Sequence, residues 1–321
     1  MQKFIGFGFA AALAAVGFAV TPVKAQQLEL TITAPAGAGG GWDAASRSLQ
    51  EVMMATGAAK SVQVVNVPGA GGTVGLAQFV GQAKGNPNQL LVAGITLVGA
   101  SISNNSPVDL TQVTPLARLT GDPLVIVVPK DSPIKTMADL QATIEKDVAK
   151  TIWVGGSAGG ADHILAALVT KASGQDPAKI NYVAYSGGGE SLAAMLGGQA
   201  TAGVSGYGEW EGQIKSGDLR ALAISYPEPI PGIEAKPLKA QGFDIELVNW
   251  RGVFAGQGVE GKELEALQAA IEKTVKSNGW QTVLKARGWT DYYAPSDEFM
   301  TFIGSETERV RAILTSIGLA N

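Results

Sequence analysis

Three times along this chain an apolar, strand-like run breaks into glycines and resumes as a helix-like stretch. The breaks are Gly37-Ala38-Gly39-Gly40-Gly41, Pro68-Gly69-Ala70-Gly71-Gly72 and Gly155-Gly156-Ser157-Ala158-Gly159-Gly160. Strand, tight turn and helix in that order oblige the chain to build βα units, because each strand must bury its apolar residues against the helices that follow. Glycine also admits positive φ and lets backbone N–H groups approach a ligand, while the next helix offers unpaired donors at the positive end of its dipole. Such a turn holds an anion or merely reverses the chain, and one run alone does not separate the two readings. Three runs together favour an anion site.

The alternation extends over most of the chain. Leu28 to Thr33, Val62 to Val67 and Leu90 to Ile95 are predicted strands, with helical stripes through Ala45, Leu49, Val52 and Met53 and through Leu76, Phe79, Val80 and Ala83. A second round has strand candidates at Leu124 to Pro129, Ile152 to Gly155, Ile180 to Tyr185, Ala202 to Ser205 and Leu219 to Ser225. This pattern predicts an α/β fold with right-handed crossovers, a mostly parallel sheet, and ligand-contacting loops at the carboxyl ends of the strands. Pro227, Pro229, Pro231 and Pro237 end regular structure and read as a linker. Beyond them, Trp250 to Ala255 reads as a strand, and Glu263 to Val275 and Asp297 to Leu314 as amphipathic helices.

The first residues point to export. Lys3, the apolar stretch Phe4 to Val20 and the small-x-small run Val23-Lys24-Ala25 form a signal peptide pattern, residues 1–25, with cleavage expected after Ala25. An uncleaved anchor is the competing reading, disfavoured by the weak hydrophobicity of an Ala- and Gly-rich run. Cleavage would remove Lys3 and Lys24 and no acid, taking the formal charge from −4 to −6. A negative chain with scattered arginines offers no footprint for a phosphate backbone, so nucleic acid is an unfavoured partner. A small anion remains possible, since local backbone dipoles rather than net charge decide affinity inside a cleft.

Catalytic and metal patterns are sparse. The chain has no cysteine and one histidine, His163, and lacks the Gly-x-Ser-x-Gly elbow. Asp162 and His163 are neighbours on one helix start and project differently, so a triad with Ser157 is disfavoured against a locally packed histidine. No zinc spacing or EF-hand loop occurs, and no cofactor or metal is expected. Trp42 stands where a dinucleotide fingerprint needs its third glycine, and no P-loop lysine follows any run. A carboxylate is the smaller anion that such turns still suit.

The segments Pro35 to Asp43, Val67 to Gly72 and Gly156 to His163 resemble, in order and spacing, the signature segments of the Bug receptors, the solute-binding proteins of tripartite tricarboxylate transporters. Tyr182 to Glu190, Met195-Leu196-Gly197-Gly198 and Leu219 to Ala223 extend the resemblance over the whole mature chain. Gly187-Gly188-Gly189-Glu190 and Arg251-Gly252-Val253-Phe254 resemble the tricarboxylate-receptor branch. The resemblance implies a two-lobed type II periplasmic binding protein fold that closes on an organic acid and delivers it to membrane permease subunits. Lobe one would be residues 26–126 and 227–321, lobe two residues 127–226, in a monomeric periplasmic receptor that is not an enzyme. A receptor signalling to a sensor kinase would use the same cleft.

Carried onto this sequence, the resemblance places one carboxylate against Gly39, Gly40, Gly41, Trp42 and Asp43 together with Gly71 and Gly72, with Thr96 adding a hydroxyl. Ser157, Ala158, Gly159 and Gly160 would hold the distal carboxylate, and Ser186, Gly187 and Gly188 would close the opposite wall. Competing readings accompany several of these. Asp43 suits a helix cap or an Arg47 partner, Trp42 suits packing, and Ser205 with Tyr207 suits a surface turn as well as the cleft. Asp162 and Glu190 can each satisfy a helix N-terminus alone. Arg251 would clamp an extra carboxylate with a planar fork, or pair with a neighbouring acid.

Overall fold

The computed structural model describes residue 2, residues 28–186 and residues 188–320. The expected export segment, apart from Gln2, and Gly187 lie outside the described residues. Ten strands follow in chain order: β1 Glu29–Ala34, β2 Ser61–Asn66, β3 Gln89–Gly94, β4 Val113–Pro129, β5 Ile152–Gly155, β6 Asn181–Ala184, β7 Ala202–Gly206, β8 Leu219–Ile224, β9 Val248–Gly256 and β10 Thr290–Pro295. The helices are α1 Gly41–Ala55, α2 Thr73–Gln82, α3 Ile95–Ser103, α4 Met137–Lys146, α5 Ala161–Ala172, α6 Gly188–Leu196, α7 Tyr207–Ser216, α8 Gly261–Val275, α9 Asn278–Arg287 and α10 Ser296–Ser316.

Strand β4 organises everything else. Its first part, Val113 to Pro123, pairs antiparallel with β9, which continues to β3, β1 and β2, while β10 pairs on the other edge of β4. From Leu124 onward the same strand pairs antiparallel with β7 and β8, and β7 leads to β5 and β6. One strand thus serves two sheets. Its apolar run is buried on both faces: Leu124, Ile126 and Val128 enter the main core cluster, and Val125 and Val127 a second cluster with Met195 and Trp210. A strand covered on both faces reads as continuous hydrophobic sequence, and each fully buried Leu, Ile or Val stabilises by about 1.5–3 kcal/mol.

The α/β alternation stands, but both sheets are mixed rather than mostly parallel. Pairs β1–β2, β1–β3, β5–β6 and β5–β7 are parallel, whereas every pair that β4 or β9 makes is antiparallel. These two strands carry the chain out of the first sheet and back, so they run against the strands that βα units lay down. Leu124 to Pro129 is accordingly the second part of a longer strand. Its first part was hidden because Pro115, Gly121 and Pro123 interrupt the apolar pattern. On the return, Tyr226, Ile230, Ile233 and Ala235 pack on the second cluster and Pro237 bridges Ile224. The second sheet's last strand ends at Ile224 and the first sheet resumes at Val248, on either side of the proline-rich stretch.

Candidate functional site

The carboxyl ends of β1, β2 and β3 in one sheet and of β5, β6 and β7 in the other converge on a cavity of about 380 Å³. Crevices at strand carboxyl ends suit ligands because helix N-termini point into them. The first sheet contributes the Gly40–Gly41–Trp42 turn, Pro68 to Gly72 and Thr96, and the second contributes Gly156, Ser157, Ala158, Asp162, Tyr185, Ser186 and Gly188. Asn249 and Arg251 on β9 and Glu209 on α7 complete the wall.

Helix α1 begins at Gly41 with no side-chain cap. Asp43 does not reach the cavity. It is 3% exposed and accepts Gly39 N–H at 2.9 Å and Asn66 Nδ2 at 2.9 Å, and it pairs with Arg47 Nε at 3.0 Å. Burial raises its pKa, but Arg47, Gly39 and Asn66 outweigh that and hold the carboxyl below its usual range. Asp43 therefore fixes the turn from beneath, with Gly39 drawn toward it. Trp42 lines the cavity and packs on the second turn, where a side chain at Gly72 would come within 2.6 Å of the indole. Gly72, at φ 97°, needs the left-handed region as well, so glycine is required there twice over.

Thr96 lines the cavity too, yet its Oγ1 already accepts the Ala161 N–H at 3.2 Å and so ties the start of α5 to the first sheet. Gly159 and Gly160 do not line the cavity. They press against α3 instead: a β-carbon on Gly159 would overlap Ser103 Oγ, and one on Gly99 would overlap the Gly159 carbonyl. The glycines in this turn serve close packing between the two halves. His163 accepts Gly159 N–H at Nδ1, 3.1 Å away, and stacks on Tyr182 with ring centroids 4.1 Å apart. Burial lowers its pKa to about 4, which keeps the imidazole neutral and able to accept.

Asp162 folds back to accept Gly156 N–H at 2.7 Å. Burial pushes its pKa up to about 7, with a further push from Asp122 and against the Gly156 hydrogen bond and the Arg251 charge. Ser186 lines the cavity, but its N–H and hydroxyl both donate to Glu190 Oε2, at 3.0 and 2.8 Å. Ser205 is buried and stays out of the cavity, its hydroxyl donating to Glu209 Oε2 at 3.3 Å. Tyr207 packs in the second core cluster.

Arg251 is 2% exposed and lies where β4 passes from one sheet to the other. Its Nη2 meets Asp122 Oδ2 at 2.6 Å, and its guanidinium carbon lies 5.1 Å from the Trp289 ring. Gly41 and Gly206 are glycines for this pair: side chains there would overlap Arg251 and Asp122. The acid partner is real, and the fork is only half used, because Nη1 is buried without any hydrogen-bond partner. A buried unpaired donor on a cation is costly to leave unmade, so it marks a place for an acceptor.

Sequence reasoning did not select Asn104, Tyr185, Glu209 or Asn249, all of which line the cavity, nor Asp122 behind Arg251. Glu209 did carry a signal: it sits on the first turn of a helix after a strand, as Asp43 and Asp162 do.

Two mixed sheets that share a crossing strand and enclose a polar cavity at their strand ends define a solute-binding protein of the periplasmic binding fold. The model of the tripartite tricarboxylate transporter family receptor matches residues 46–319, and the chain belongs to that family. Protein BugT of Bordetella pertussis is 26% identical over 319 residues, covering 98% of this chain and 96% of BugT. Among solved structures, MatC from Rhodopseudomonas palustris with bound malate superposes with a TM-score of 0.78 at 21% identity, over 92% of this chain and 100% of that one. A second R. palustris protein, with adipate, gives a TM-score of 0.84 at 17% identity, over 92% of this chain and 99% of that one. At such identities these two likenesses concern the fold.

Proposed function

We propose that this receptor works in the periplasm as a monomer, exported by residues 1–25, and binds a di- or tricarboxylate in the cavity for delivery to the permease subunits of a tripartite transporter. The observation that carries the ligand class is Arg251, which lines the cavity and whose Nη1 is buried and unpartnered while Asp122 holds the other arm of the fork. The uncapped starts of α1, which lies against Arg251, and of α2 add backbone donors. Malate and adipate, the acids in the two related structures, are the natural first probes. We assign residues 26–126 with 227–321 to one lobe and 127–226 to the other, with a hinge about β4 and the return to β9.

Calorimetry against malate, succinate, adipate and citrate tests this reading, with at least one saturable isotherm expected. Arg251→Lys keeps the charge but loses the second prong, so affinity should fall by about tenfold or more, most for the ligand with the most carboxylates. Saturable binding of a sugar but of no carboxylate would overturn the assignment. A lower melting temperature with unchanged affinity would return Arg251 to a purely structural role.

A further inference from the structure

We propose that Glu209 enters the complex as a neutral acid and donates a hydrogen bond to the bound carboxylate, so that ligand binding retains or takes up one proton. This rests on the reading that the cavity accepts a polycarboxylate, and it resolves a conflict in that reading. Before any ligand arrives, two carboxylates, Asp162 and Glu209, already line the cavity, and a third, Asp122, lies behind Arg251. Asp122 on β4, Asp162 on α5 and Glu209 on α7 interact with each other, and among the described residues Arg251 on β9 is the cation that acts on all three. Arg287, at the end of α9, adjoins Glu209 in a smaller neighbouring cavity. An incoming anion would add to an excess of negative charge in a desolvated space, where carboxylates at close range do not all stay ionised.

The geometry singles out Glu209 as the group that holds the proton. Asp122 gives Oδ2 to the Arg251 cation and keeps Oδ1 buried away from the cavity, and Asp162 accepts Gly156 N–H. The partner of Glu209 is the Ser205 hydroxyl, at 3.3 Å to Oε2. Gly188 makes room for this carboxyl, since a side chain there would overlap Oε2. Arg251 lines the same cavity, and its buried Nη1, without a hydrogen-bond partner, leaves half of the guanidinium fork for an anion. An ionised Glu209 would repel that anion, and a protonated one would donate to it. Burial, reinforced by Asp122 and Asp162 and opposed by Arg251, pushes the Glu209 pKa up to about 8. The proton is therefore in place at neutral pH.

The experiment is calorimetry with malate, adipate and citrate from pH 6 to pH 9, in buffers of different ionisation enthalpy. Wild-type affinity should hold to about pH 8 and then fall by roughly tenfold per pH unit, with close to one proton taken up per ligand at pH 9. Glu209→Gln replaces the acid by a permanent neutral donor, so it should lose the proton uptake and bind roughly tenfold more tightly than wild type at pH 9. Asp162→Asn should keep the uptake, which assigns the proton to Glu209. The proposal is overturned if wild-type binding takes up no proton at pH 9. It is equally overturned if Glu209→Gln binds more weakly than wild type at every pH with a normal melting temperature, the result expected of an ionised acceptor for a ligand ammonium or hydroxyl. Should Glu209→Gln fail to fold, the wild-type proton count decides alone. Absence of any carboxylate isotherm in the wild type overturns the parent reading, and this one with it.

Discussion

The turn before α1 and the turn before α5 are built alike. In each, an acid on the first helical turn folds back on the glycine run, Asp43 accepting Gly39 N–H at 2.9 Å and Asp162 accepting Gly156 N–H at 2.7 Å. Their charges differ. Arg47 and Asn66 neutralise and solvate Asp43, and its pKa lies below the usual carboxylate range. Asp162 meets no such partners and is pushed up to about 7, chiefly by burial. The same local device makes a fixed anionic strut in one half of the molecule and a near-neutral cavity wall in the other. What decides between them is the company each acid keeps.

The largest expected effect tests the strut. Asp43→Ala strands the Gly39 N–H and one Asn66 donor and removes the Arg47 ion pair, so unfolding free energy should drop by about 1–3 kcal/mol, read from urea melts at pH 7. No change would mean that the first turn holds its shape without the acid and that the two turns differ less than their charges suggest. A smaller loss is expected from Thr96→Val, which removes the acceptor for Ala161 N–H and loosens the second turn from the first sheet, at about 0.5–1.5 kcal/mol.

The third effect is a change of slope with pH. Asp43 has a lowered folded pKa, so its contribution is complete above the usual carboxylate range and is lost as pH falls through the folded value. Asp162 has a raised one, so its contribution is complete below that range and is lost as pH rises toward 7. Asp162→Asn should therefore gain melting temperature relative to wild type between pH 5 and pH 8, while Asp43→Asn loses most over the same interval. Parallel melting curves for the two variants would show that the two acids are electrostatically equivalent after all.

Much of the site was legible because it is local. A strand, a glycine turn and a capless helix start lie within a dozen or so residues, and their periodicity and φ demands are written in consecutive positions. The Gly40–Trp42, Gly71–Gly72 and Ser157–Ala158 turns accordingly reach the cavity where the alternation placed them. Gly159 and Gly160 share the same composition but answer to α3, a neighbour that no local pattern announces. Asp122 and Glu209 escaped for a similar reason. One lies in a strand segment broken by Pro115, Gly121 and Pro123, and the other is an ordinary first-turn acid until a cavity closes over it.

The sequence by itself determined the βα units, their order and the turns at their carboxyl ends, since short-range periodicity and backbone stereochemistry suffice for those. Tertiary structure alone decided that β4 runs through two sheets, that Arg251 meets Asp122 across a separation of 129 residues, and that Asp162 and Glu209 share one cavity with Arg251. The physical reason is range. Hydrophobic period and glycine φ act over a few residues, whereas burial and charge coupling depend on which distant strands the fold brings side by side.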